Sequence, residues 1–210
     1  MKYKIQQLGF SLVETLVAIS LLLIVIVGQM TVSGAAKGSS FATEQIQAFF
    51  LAQEGVEMVQ NVRDELFLEH LSDVLNNGSA MPSPWQSFTN TTSSGVLGNC
   101  YDTKGCGLSF DDSTAKKVEV VSSACKENPA NASDNNCLLR VNGNNTSRSR
   151  FTHGNPNLPI TPFTRKIRIT HNSGEPFVKV QSEVTWRAGS LSSKQRVVVD
   201  TYLYNTYNYD

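Results

Sequence analysis

The chain has 210 residues, with 18 Lys plus Arg against 18 Asp plus Glu and a formal net charge of zero. That length suits one soluble domain with an appended segment. The charge balance removes the usual reason to expect a nucleic-acid partner, which is a concentrated basic face. Arg140, Arg148, Arg150, Arg165, Lys166 and Arg168 do gather in one stretch, and their plainest reading is a solvated face of loops and strands.

The N-terminus carries the most information. Lys2 and Lys4 form a short basic head, and residues 10–32 are mostly apolar with one formal charge, Glu14. About 20 apolar residues span a bilayer core as a helix, which satisfies its own backbone hydrogen bonds in lipid. The basic residues ahead of the run favour a cytoplasmic N-terminus and an exported remainder. A plain membrane anchor and a buried core helix are two ordinary readings. A third is a secretory signal peptide, with Ser33-Gly34-Ala35 as its small-residue cleavage site.

Glu14 separates these readings. A carboxylate in an apolar membrane helix costs about 3 kcal/mol or more unless it finds a partner, so such residues are usually functional. Neither an anchor nor a signal peptide needs one. Cleavage after Gly9 would create a charged amine on Phe10, one helical turn before Glu14. In a bundle of such helices that amine and the carboxylate of a neighbour could pair and set axial register. Setting register is a better-attested use of buried charge pairs than net stability.

The run GFSLVE followed by an apolar helix resembles the prepilin cleavage motif of type IV pilins, minor pilins and type II secretion pseudopilins. The resemblance implies cleavage after Gly9, N-methylation of Phe10 and an assembly role for Glu14. It implies residues 1–9 as leader and 10–32 as membrane and filament-core helix. The partners it implies are other pilin subunits, prepilin peptidase, the inner-membrane assembly machinery and, before assembly, the lipid bilayer. Localisation follows as single-pass inner membrane, then extracytoplasmic filament. No proline precedes Pro82, so the proline found within this helix in many major pilins is missing, which favours a minor pilin or pseudopilin.

Residues 33–75 lack proline, and Ile46, Phe49, Phe50, Val56, Val59, Val62 and Leu66 recur at helical spacings. The spacing predicts one long helix over 10–75, with Gly34 and Gly38 as its weakest points. The stretch LAQEGVEMVQNVRD also resembles this helix in minor pilin-like proteins. Glu54, Glu57, Asp64, Glu65 and Glu69 fall on several helical faces and read as surface solubility. Asn76-Asn77-Gly78, Pro82 and Pro84 end the helix.

Residues 76–160 are rich in Asn, Ser, Thr and Gly and are expected to form a loop-rich head that buries little. Trp85, Phe88 and Tyr101 read as cover for a small core, and 117–121 and 138–141 as short strands. All four cysteines lie here: Cys100, Cys106, Cys125 and Cys137. In an exported region they favour disulfides over zinc, whose ligands usually sit closer together. Four cysteines allow three pairings and the sequence does not choose. Local pairs, Cys100 with Cys106 and Cys125 with Cys137, are the working expectation.

Residues 161–210 alternate. Ile167 and Ile169, then Val178, Val180, Val184 and Trp186, then Val197, Val199 and Leu203 each mark one apolar strand face. Turn-like 172–174 and 188–193 join them into an antiparallel meander, whose apolar face needs the amphipathic half of the helix as cover. The expected fold class is therefore α+β, a long helix on an antiparallel sheet, which is also the pilin architecture the resemblance implies. Tyr202, Tyr204, Tyr207 and Tyr209 project from an outer face.

No catalytic constellation, cofactor loop or metal motif is read, so a non-enzymatic role is expected. His70, His153 and His171 are isolated and read as surface residues. The leading function is a structural minor pilin, with a type II secretion pseudopilin or DNA-uptake pilin close behind. The rival from another class is an exported binding or adhesion module with an ordinary signal sequence. A membrane-anchored enzyme ranks last.

Overall fold

A computed structural model describes residues 11–77, 83–92, 94–110, 117–122, 125, 137–142, 150–153, 157–187 and 194–206, without the side chains of 31–38, 77, 122, 142 and 150. Two compact units divide the chain, 1–44 and 45–210. The first contributes an apolar helical segment; the second holds the core. The class is α+β.

Helix α1 spans Leu12–Asn77, and its backbone stays helical through Gly34 and Gly38. Absence of proline allows this length. Within the second unit α1 buries Ala48, Leu51, Ala52, Gly55, Val56, Met58, Val59 and Val62. Most of these recur at three- and four-residue steps, the spacing of one helix face. The expected stripe is corrected at its start: Ile46, Phe49 and Phe50 are exposed, 59, 49 and 61 %. Small residues, Ala48, Ala52 and Gly55, occupy the buried side there instead. A helix that must approach a sheet closely buries its small side chains and leaves the large ones elsewhere.

After α1 come the short helix α2 (Pro84–Phe88), with a proline at its start, and a 3-10 turn, Gly98–Tyr101. Strands β1 (Gly107–Phe110) and β2 (Val118–Ser122) form an antiparallel pair. Strands β3 (Leu138–Asn142), β4 (Arg150–Thr152), β5 (Ile160–Thr170), β6 (Phe177–Arg187) and β7 (Lys194–Tyr204) form a second sheet, ordered β4-β3-β5-β6-β7 and antiparallel throughout. The predicted meander is β5-β6-β7, and two strands of the head extend it.

One apolar cluster joins Val56, Met58, Val59 and Val62 of α1 to Ile167, Ile169, Val178, Val180 and Leu203 of the sheet. The head also enters this cluster through Phe88, Leu97, Cys100, Cys106, Leu108 and Val118. The expectation that 76–160 buries little is thus corrected. Its polar average conceals a few well-placed apolar residues, and Phe88, Leu97, Cys100 and Leu108 lie on short elements seated on the core.

The disulfides are Cys100–Cys106 and Cys125–Cys137, with Cα–Cα distances of 4.7 and 5.4 Å. They close short loops, each worth about 2–3 kcal/mol in chain entropy. The first also fixes the head to the sheet: Cys106 N–H donates to Ile167 O at 2.8 Å, and Ile167 N–H donates to Cys106 O at 2.9 Å. Gly105 makes that contact possible. Its φ is +68°, and a Cβ there would lie 2.5 Å from Ile167 O.

Candidate functional site

Two features stand out from ordinary core and surface. The first is the start of α1. Leu12–Met30 is a 19-residue segment long and apolar enough to cross a membrane, and none of it is buried. At 1.5 Å per residue it reaches about 28 Å, close to the hydrocarbon thickness of a bilayer. Glu14 lies in the first turn of this helix, where the helix dipole favours an acid. Gly9 and Phe10 lie outside the described residues. The two disulfides point to an extracytoplasmic location for the second unit.

The second feature is a buried polar junction between α1, β1 and β5. Strand alternation places Arg165 on the same face as Ile167 and Ile169, so it points into the core and is 0 % exposed. Its Nη1 donates to Glu54 Oε2 at 2.6 Å and to Leu51 O at 3.2 Å. Its Nη2 donates to Leu108 O at 3.2 Å and lies 3.6 Å from Met58 Sδ. One guanidinium therefore holds two turns of α1 and the backbone of β1. Burial pushes its pKa down, and the adjacent Glu54 carboxylate opposes that shift.

His153 extends the junction. Nδ1 sits 2.8 Å from Leu108 O and Nε2 3.2 Å from Cys137 O, and the ring is 3 % exposed. Beside it, Ser109 Oγ and Thr152 Oγ1 are 2.6 Å apart. Burial, then the Arg165 charge, lower the His153 pKa to about 4. The unfolded imidazole titrates near ~6.5. Stability from this group is therefore complete above pH ~6.5 and falls as pH drops toward about 4, because only the unfolded chain takes up the proton there. The expected loss across that window is about 3 kcal/mol. Urea unfolding of the wild type against His153→Gln, from pH 7 to 4.5, checks this. Equal slopes for the two would exclude it.

Three sequence readings are corrected here. Arg165 is no part of a solvated basic face. Glu54 is an ion-pair partner whose side chain is 32 % exposed. His153 is core. Alternation across Arg165, Ile167 and Ile169 already carried the signal for the arginine, and Glu54 follows Leu51 by three residues on the buried side. Nothing local marks His153, because its environment comes from β1 and Cys137.

The remaining candidates stay superficial. Lys117 pairs with Glu69 at 3.0 Å and Glu65 at 3.6 Å, Arg63 pairs with Asp64, and Gln53 bonds Glu57. Among the described residues no cluster of His, Cys, Asp or Glu is placed to hold a metal ion. Trp85 stacks near Phe88 and edge-on to His171, and the Tyr101 hydroxyl donates to Phe88 O at 2.9 Å. Burial drives the Tyr101 pKa well above its usual value, so this hydroxyl stays a donor. Trp85 and Tyr101 cover the core as expected, whereas Phe88 is part of it. No family model, curated protein or solved structure matches the chain.

Proposed function

We propose that this protein is a structural subunit, a minor pilin, of a type IV pilus. Prepilin peptidase cuts it after Gly9 and methylates Phe10. The chain sits in the inner membrane through residues 10–32 until the assembly machinery moves it into an extracytoplasmic filament beside other pilin subunits. The observation that carries this reading is Glu14, the lone acid of the apolar run 10–32, four residues after the Phe10 of a Gly-Phe pair. A helix laid on an antiparallel sheet is the architecture that the pilin resemblance implies. Within the second unit Ile46, Phe49 and Phe50 are large exposed apolar side chains, which neighbouring subunits would cover. A type II secretion pseudopilin or DNA-uptake pilin uses the same chemistry and differs in its partners.

N-terminal sequencing of the mature protein tests the reading. A methylated Phe10 supports it. A start at Ala36 replaces it with the second reading, an exported binding module, which the small residues after Leu12–Met30 favour. Glu14→Ala should leave membrane insertion and cleavage intact. Incorporation should fall roughly a hundredfold, since removing one member of a buried pair costs about 3 kcal/mol or more. Subunit recovered in sheared filaments, compared with subunit in membranes, is the measurement. Wild-type incorporation would remove the register role.

A further inference from the structure

Strand β7 ends the five-stranded sheet, and among the described residues no strand pairs with its outer side. In an antiparallel strand alternate residues direct their N–H and C=O groups to opposite sides, so half of those of β7 face outward. Natural edges are usually shortened, bulged, or blocked by proline or lysine. β7 is 11 residues long, pairs with β6 in unbroken register and contains no proline. Its only lysine is terminal Lys194. Among the described residues this edge is long and regular, and no strand covers it.

Its side chains state which strand fits. Lys194, Arg196, Val198, Asp200, Tyr202 and Tyr204 occupy the outer face, while Val197 and Val199 sit half-buried on the inner one. Consider a second β7 laid antiparallel beside the first. Centred on Arg196 or on Asp200, it opposes like charges. Centred on Val199, it sets each Asp200 against a valine. Centred on Val197, it matches Lys194 to Asp200 but leaves Arg196 against Val198. Centred on Val198, it matches Arg196 to Asp200 twice, Lys194 to Tyr202 twice and Val198 to itself, with Val197 facing Val199 beneath. Opposite charges, a cation on an aromatic ring and paired β-branched residues are each favourable cross-strand neighbours. Arg196 already contacts Glu183 at 3.2 Å, and Asp200 contacts Lys179 at 2.8 Å and Gln181 at 3.1 Å. The new pairs would join these two ladders end to end.

We propose that β7 is a self-pairing edge, through which a second copy of the chain adds its own β7 antiparallel across a two-fold axis at Val198. Two five-stranded sheets then become one continuous sheet. Such an isologous contact is the commonest route to a dimer, and it does not depend on the filament reading.

The test uses the full chain in detergent. Under mild oxidation Val198→Cys forms an intermolecular disulfide at residue 198. Asp200→Cys does not, because its two copies are offset by four residues, about 13 Å. Peptide mapping without reductant separates this bond from Cys100–Cys106 and Cys125–Cys137. In sedimentation equilibrium, Arg196→Asp weakens dimerisation at least tenfold, and adding Asp200→Arg restores it. Absence of the disulfide at 198, equal cross-linking at 200, or a double variant as weak as the single one would each overturn the proposal.

Discussion

Glu54→Ala lowers the unfolding free energy by about 3 kcal/mol. The reason is Arg165, which has no exposed area and no other anionic partner among its described contacts. Leu51 O and Leu108 O can accept hydrogen bonds from it but cannot neutralise it. Breaking a buried pair usually costs about 3–5 kcal/mol, and the 32 % exposure of Glu54 places the effect at the low end. The pair itself need not be strongly stabilising. Arg165→Met combined with Glu54→Leu should therefore recover most of the loss. Urea midpoints of the full chain in detergent, followed by the fluorescence of Trp85 and Trp186, measure both variants. A loss below about 1 kcal/mol for Glu54→Ala would mean that the pair is not intact in solution.

Gly55→Val destabilises by about 3 kcal/mol, although valine is the better helix former. A Cβ at Gly55 would lie 2.5 Å from Ser182 Oγ, 2.6 Å from Ile167 Cδ1 and 3.2 Å from Arg165 Cδ. All three belong to the sheet, so no neighbour can swing aside into solvent. Either α1 lifts from β5 and β6 or the Arg165 junction shifts. The control is Gly28→Ala, where nothing lies within 4 Å of the added carbon and no loss is expected. If Gly55→Val unfolds at the wild-type denaturant concentration, the helix does not approach the sheet this closely.

Much of this architecture is written in local pattern. Proline-free residues 12–77 form one helix because nothing interrupts the backbone hydrogen bonds. The alternation around Val178, Val180, Val184 and Trp186 gives β6 its buried face, and that of Val197, Val199 and Leu203 gives β7 an inner face buried only at Leu203. The helix face that meets the sheet is less legible. Counting large apolar residues selects Ile46, Phe49 and Phe50, whereas close approach selects Ala48, Ala52 and Gly55. Size complementarity depends on the partner surface, and no window of the helix sequence contains that surface.

The candidate site divides the same way. Glu14 in its apolar run is a purely sequential signal: the role proposed for it rests on the Gly9-Phe10 pair upstream in the sequence and on the cost of a charge in lipid. The junction of Arg165, Glu54 and His153 is the opposite case, uniting residues 111 positions apart in the chain for the ion pair alone. Alternation indicates that Arg165 faces inward but cannot name what satisfies it.

Sequence alone determined the membrane-length helix, the position of its single acid, the strand faces and an even set of cysteines suited to export. Those follow from hydrogen-bond geometry, period and polarity, which act over a few residues. Tertiary structure decided which cysteines join, which glycine permits contact, and that one arginine and one histidine lie in the core. Those depend on dehydration and charge pairing between segments that meet only when the chain has folded.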